Sequence, residues 1–150
     1  MATIHQILDT IQGVWHGTYT VVSAEGEVLE RFPSRQEGLL VGRDWTEKVV
    51  YLREGQEPLE QRFHAVVEDD DVTLDVEGMW GETGRAGDQG VIFRFGWDAR
   101  PQEEIIEVTV PRGDHRTRVW RHLEDGALTK VTFISEWRDP DAQPEAWLQA

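Results

Sequence analysis

The sequence predicts an all-β domain, with eight to ten antiparallel strands behind one short N-terminal helix and arranged as a sandwich or an up-and-down barrel. Three observations predict it. Apolar and polar residues alternate with a period of two over most of the chain from Val14 to Arg138. Turn-forming clusters such as Arg112-Gly113-Asp114 and Glu124-Asp125-Gly126 recur between these stretches. Only Ile4, Ile7, Leu8 and Ile11 fall at helical spacing, with Thr3 placed to cap the start and Gly13 to end it.

The helix, within 3–12, is too short to stand alone and must pack on something. Val14 to Ser23 is the first strand, followed by a turn at Gly26. Val28 to Phe32 runs until Pro33 interrupts it. Gln36 to Val41 and Trp45 to Arg53 are separated by Gly42. Leu59 to Val67 precedes the acidic turn Glu68-Asp69-Asp70-Asp71, and Val72 to Trp80 leads into the glycine-rich segment Gly81 to Gly90. Val91 to Trp97, Ile105 to Val110, His115 to Leu123 and Leu128 to Arg138 complete the set. No linker divides the chain, so 1–150 reads as one domain: helix 3–12, barrel 13–138 and tail 139–150. In the tail, Glu145 to Gln149 can form a helical turn carrying Trp147, either as a plug on the barrel wall or as a partner contact.

Strand faces locate the expected core. Trp15, Tyr19 and Val21 share one face; so do Leu59, Phe63, Ala65 and Val67. Val72, Leu74, Val76, Gly78 and Trp80 form another such set, as do Val91, Phe93, Phe95 and Trp97. The opposite faces carry His64, Glu77 and Arg94. Two strands break the pattern. His115 to Leu123 has no clean inside, because Arg116, Arg118, Trp120 and His122 alternate with Thr117, Val119 and Arg121. It reads as a solvent-facing arginine ladder or as the mark of a functional interior. In Leu128 to Arg138, the set Thr129, Val131, Phe133, Ser135, Trp137 is the expected core face.

Composition excludes several functions. With 29 acidic and 15 basic residues the formal charge is -14. That field repels phosphates, so no nucleic-acid partner is expected, nor docking on an anionic membrane. There is no cysteine, so thiolate metal sites and cysteine nucleophiles are excluded. No apolar run approaches the roughly 20 residues of a membrane span, and the start lacks a signal-peptide pattern, so a soluble cytoplasmic protein is expected. The histidines His5, His16, His64, His115 and His122 show no zinc spacing, and no metal site is predicted. Serine occurs only at Ser23, Ser34 and Ser135, outside any nucleophile-elbow pattern. The glycine-rich segment is either a flexible lid at a barrel mouth or a long hairpin connection.

The stretch Gly13-Val14-Trp15-His16-Gly17-Thr18-Tyr19, following a short helix, resembles the opening of the calycin superfamily. The longer pattern is similar to a calycin-like family of unknown function common in cyanobacteria. It comprises Trp15 to Glu30, Arg116 to Leu128 and the closing Glu136-Trp137-Arg138. The resemblance implies a calycin or lipocalin-like antiparallel barrel, related by fold to phycobilin lyases, fatty-acid-binding proteins and heme-binding nitrobindins. In lipocalins the first-strand tryptophan is packed by an arginine from near the last strand, a role that falls to Trp15 with Arg138 or Arg121. Arg118-Val119-Trp120 only outlines the Arg-x-Tyr carboxylate clamp of fatty-acid-binding proteins. His122 does not match the nitrobindin heme motif. No cofactor is predicted; a heme or bilin is suggested only by relatives of the fold.

The leading functional expectation is binding of one small, mostly hydrophobic ligand, neutral or acidic, inside the barrel. Trp15, Tyr19, Phe63, Trp80, Phe93, Phe95 and Trp120 are expected to line it, with Arg94 and Arg118 as the clamp. The alternative is a cofactor-free isomerase, cyclase or lyase in which His64 and Glu77 move protons. A third reading is a filled barrel used for assembly, for example as a homodimer.

Overall fold

Residues 1–145 are described by a computed structural model. Thr3 caps helix α1 (Ile4–Thr10): its hydroxyl accepts the Gln6 N–H, and the Gln6 side chain accepts the Thr3 N–H. Ten antiparallel strands follow: β1 (Gly13–Ser23), β2 (Val28–Val41), β3 (Asp44–Tyr51), β4 (Leu59–Glu68), β5 (Asp71–Leu74), β6 (Met79–Ala86), β7 (Gly90–Trp97), β8 (Arg100–Arg112), β9 (His115–Glu124) and β10 (Ala127–Asp139). They form one sheet ordered β5-β4-β3-β2-β1-β10-β9-β8-β7-β6. The sheet curls into a nearly closed barrel, with β5 facing β6 across the only seam in the described sheet that lacks a backbone ladder. No helix among the described residues is long and apolar enough to cross a membrane.

The core lies in two clusters along the barrel axis. At one end α1 plugs the barrel, so that Ile4 and Ile11 pack with Trp15, Trp45 and Val67. Further along, Tyr19, Val21, Phe32, Val49, Tyr51 and Ile134 pack together, with Phe63 and Trp120 against them. The expected closure of Trp15 is present. It is fully buried, with the Arg138 guanidinium 4.4 Å from the ring centroid and Arg116 at 4.3 Å. Arg138 also donates to the Thr10 and Gln12 carbonyls, tying β10 to the end of the helix.

Three strand expectations are corrected. The inward face of β10 is Thr132, Ile134 and Glu136, at 3%, 2% and 0% exposure, while Phe133 and Trp137 face out at 50% and 62%. The polar set is inward because it meets Arg116 and Arg118, so those arginines form no solvent-facing ladder. Second, β2 runs unbroken through Pro33. The Pro33 carbonyl accepts Leu52 N–H, so the missing donor faces the end of β3 and no ladder bond to β1 is lost. Third, Val72 to Trp80 is two strands, broken where the Met79 N–H bonds to the Val76 carbonyl and Gly78 adopts φ 77°. The segment from Gly81 to Ala86 is neither lid nor long connection but part of β6, and a Cβ at Gly81 would lie 2.8 Å from the Phe93 ring.

Candidate functional site

Alternation along ten tilted strands points one side-chain set into the barrel, and that set is arranged in layers. At the open end, opposite α1, lies a chamber of about 520 Å³. Its walls are Tyr19, Phe32, Tyr51, Phe63, Phe95, Trp97 and Trp120, with charged residues at the rim. The rings hold one another: Tyr19 stacks on Phe32 at 5.2 Å and meets Tyr51 and Trp120 edge-on at 5.2 and 5.5 Å. At the rim Arg53 lies over Phe32 at 3.9 Å while paired with Glu30, and Arg100 lies over Trp97 at 4.5 Å while paired with Glu103.

Deeper in the barrel, behind the aromatic walls, is a charged layer. Arg116 and Arg118 project from β9, with Arg116 opposite Glu136 of β10 in the ladder. Glu136 Oε1 accepts from Arg116 Nε and Arg118 Nε, each at 2.8 Å. Arg118 Nη2 also donates to the Tyr19 hydroxyl at 2.7 Å, and Trp120 Nε1 donates to Glu107 of β8. Burial alone would raise the Glu136 pKa, but the two guanidiniums outweigh it and hold it below the ordinary value. Burial raises Tyr19 well above its usual value and Tyr51 to about 12, so both stay protonated donors.

Beneath this layer, against α1, lies a smaller chamber of about 110 Å³. Ile4, Leu8, Trp45, Val91 and Phe93 give it apolar walls, and Gln36, Glu47 and Arg116 a polar one. The Gln36 amide donates to Glu47. Burial, only partly offset by Arg118, pushes the Glu47 carboxyl up to about 7. Tyr51, Phe63, Phe95 and Trp120 border both chambers.

The structure therefore brings together Tyr19, Phe63, Phe95, Trp120 and Arg118 of the expected ligand-binding set. Phe93 lines the inner chamber, and Trp15 sits beneath guanidiniums without bordering either one. Trp80 and Arg94 lie on the outer wall. The Arg94 guanidinium covers the Trp80 ring at 4.9 Å and pairs with Glu104 and Glu82, so it clamps nothing inside. The break at Gly78 shifts Trp80 out of phase with Leu74. The pair His64 and Glu77 is not assembled. His64 is among the residues bordering the inner chamber, but its imidazole is engaged by Asp44 at 2.9 Å and Asp75 at 3.0 Å, contacts that raise its pKa. Glu77 lies exposed in the β5–β6 connection. His16 is bonded to Asp139. His122 borders the outer chamber, bonded to Thr132 Oγ1, and burial lowers its pKa to about 4. Trp147 lies outside the described residues; of the tail before it, the Glu145 N–H donates to Glu37 on the outer wall of β2.

Phe32, Tyr51, Trp97, Glu47, Glu107 and Glu136 were not among the expected site residues. For Glu136 a signal exists: it falls two residues after Ile134, and the adjacent strand carries Arg116 and Arg118 at the same spacing.

The comparisons bear on the fold. The chain is similar in structure to the S-type phycobiliprotein lyase CPES from Guillardia theta, with 12% identity, a TM-score of 0.75, and 93% of this chain and 94% of that one covered. It is also similar to a protein of unknown function from the DUF3598 family of Nostoc punctiforme, with 15% identity and a TM-score of 0.70 over 93% of this chain, spanning about half (51%) of that protein. A third neighbour is Rv2717c from M. tuberculosis, with 14% identity, a TM-score of 0.64, and 93% and 99% of the two chains covered. No protein-family model and no curated protein matches the sequence. Fold and cavity together define a calycin-like barrel.

Proposed function

We propose that this protein binds one small, mostly hydrophobic molecule in the outer chamber of its barrel. The observation that carries the reading is the open, aromatic-walled cavity of about 520 Å³, a size in the range of small-molecule sites. Its rings are fixed by one another and by the Arg118–Glu136 layer below, so little ordering cost remains for binding. An arginine clamp for an acidic group finds no support, because Arg118 is already engaged by Glu136 and Tyr19 and Arg94 lies outside.

A lyase-type role is the second reading, favoured by the phycobiliprotein lyase among the structural neighbours. His64 and Glu77 do not serve it. Glu47, with its pKa at about 7, is the interior group suited to proton transfer.

Titration with the neutral probe N-phenyl-1-naphthylamine tests the reading. One probe per chain is expected to saturate with quenching of tryptophan fluorescence, and Trp120→Leu to weaken it by roughly tenfold, the loss of one aromatic wall. Absence of saturable binding by this probe and by a panel of apolar compounds, together with a bare mass for the natively purified protein, would overturn it.

A further inference from the structure

The mouth of the outer chamber carries three cations, and they are not equivalent. Arg53 and Arg100 lie over Phe32 and Trp97 and are paired with Glu30 and Glu103. The third is Lys130 on β10. The β1–β10 ladder is unbroken from Thr132 opposite Val21 to Lys130 opposite Ser23, so Lys130 keeps the inward phase of Thr132 and Ile134. The register shift against β9 falls between Leu128 and Lys130, which leaves Lys130 opposite His122. Lys130 lines the outer chamber and is open to solvent, and its ammonium has no hydrogen bond or ion pair with any described residue.

The carboxylates around the mouth do not answer that charge. Glu30 is held by Arg53, Glu103 by Arg100 and Glu104 by Arg94. Glu124 has no ion pair among the described residues, but it stands opposite Ala127, two residues nearer the hairpin tip than His122. The Lys130 charge is felt inside the chamber: burial and this ammonium together lower the His122 pKa to about 4, so the ring beside Lys130 is neutral. Deeper down, an acidic group finds no open cation, because Arg118 is committed to Glu136 and the Tyr19 hydroxyl. An acid can be met at the mouth, and there by Lys130.

Resting on the ligand-binding reading above, we propose that the ligand of the outer chamber is an amphipathic monocarboxylate, its apolar body among Tyr19, Phe95 and Trp120 and its carboxylate at the mouth on the Lys130 ammonium. Such a molecule enters apolar end first. The ion pair forms where both partners keep water, so it sets the ligand's class and its orientation more than its total affinity.

The test is calorimetric titration of the whole chain at pH 7.5 with 1-naphthaleneacetate and with 1-naphthaleneacetamide, which share a shape and differ in charge. Salt is kept at roughly 0.15 M, so that charges more than about 8 Å away are largely screened. The carboxylate is expected to bind tighter by about three- to fivefold, the size of an ion pair that keeps its water. Lys130→Met is expected to bring the two probes level, and Lys130→Glu to invert their order; both changes fall on an exposed side chain. Equal or tighter binding of the amide by the unmodified protein overturns the proposal, and so does a carboxylate preference that survives Lys130→Met. If neither probe binds while N-phenyl-1-naphthylamine saturates, the monocarboxylate is refuted and the outer-chamber reading stands. If none of the three binds, the ligand-binding reading fails and the proposal with it.

Discussion

Glu136 and Glu47 are both carboxyls inside the barrel, yet their surroundings drive them in opposite directions. Glu136 meets two guanidiniums at 2.8 Å and is held ionised. Glu47 receives only the Gln36 amide and is pushed up to about 7. The linkage sign follows from the second value. Between the ordinary carboxyl range and pH 7 the folded chain holds a proton at Glu47 that the unfolded chain has released, so this residue's contribution to stability falls as pH rises through that window and is flat above it. Glu47→Gln is expected to remove that slope, raising stability at pH 8 relative to the unmodified protein by on the order of 2–3 kcal/mol, read from urea midpoints at pH 5 and pH 8. An unchanged difference between the two pH values in the variant would sink the assignment. Residue types such as these are poorly legible in sequence. Glu47 stands in a strand reading Trp45, Glu47, Val49, Tyr51, where three apolar neighbours on the same face mark its direction, but nothing in one strand reports which charges the other nine supply. Tyr19, Phe63 and Phe95 were legible because large apolar side chains at a two-residue spacing have one favourable side, whereas Trp120, between Arg118 and His122, had only its own size to mark it.

Elements were legible where their boundaries are chemical. Thr3 and Gly13 announce the ends of α1, and the glycine turns announce the hairpins. The faces of β9 and β10 were not, because apolarity is a poor guide once charges pair inside: Phe133 and Trp137 are outward, with the Trp137 ring stacked on His115 at 4.2 Å. The glycines of β6 misled in another way, since Gly81 is small to make room for Phe93 rather than to bend the chain. The helix matters beyond its seven residues. Ile4 is 1% exposed and seals the inner chamber beside Trp45 and Val67. Ile4→Ala is expected to cost about 2–4 kcal/mol in chemical denaturation, the usual range for an emptied core site. A loss below about 0.5 kcal/mol would mean that α1 merely rests on the barrel.

The whole molecule carries a formal charge of -14, while its barrel interior holds two guanidiniums among three carboxyls, so most of the excess lies on the outside. The barrel's ladders run continuously from β5 round to β6 and stop there. Side chains bridge the gap, with Arg85 of β6 paired to Asp70 just before β5 and Leu74 beside Gly81. Native-state hydrogen exchange is expected to find the amides of Val72 to Leu74 opening at least tenfold more readily than those of β1 and β10, which are laddered on both sides. Equal protection would mean that the seam is as firm as the rest.

An unladdered seam makes this barrel less like a pipe than like a split ring. Its circumference can grow along one line without parting a backbone hydrogen bond, because only side-chain contacts hold that line. Val72, Leu74 and Thr83 of that seam line the inner chamber, so the compliant wall lies there. Tolerance for bulk is thereby built in at the end that α1 closes, while the aromatic outer chamber is bordered by laddered strands alone.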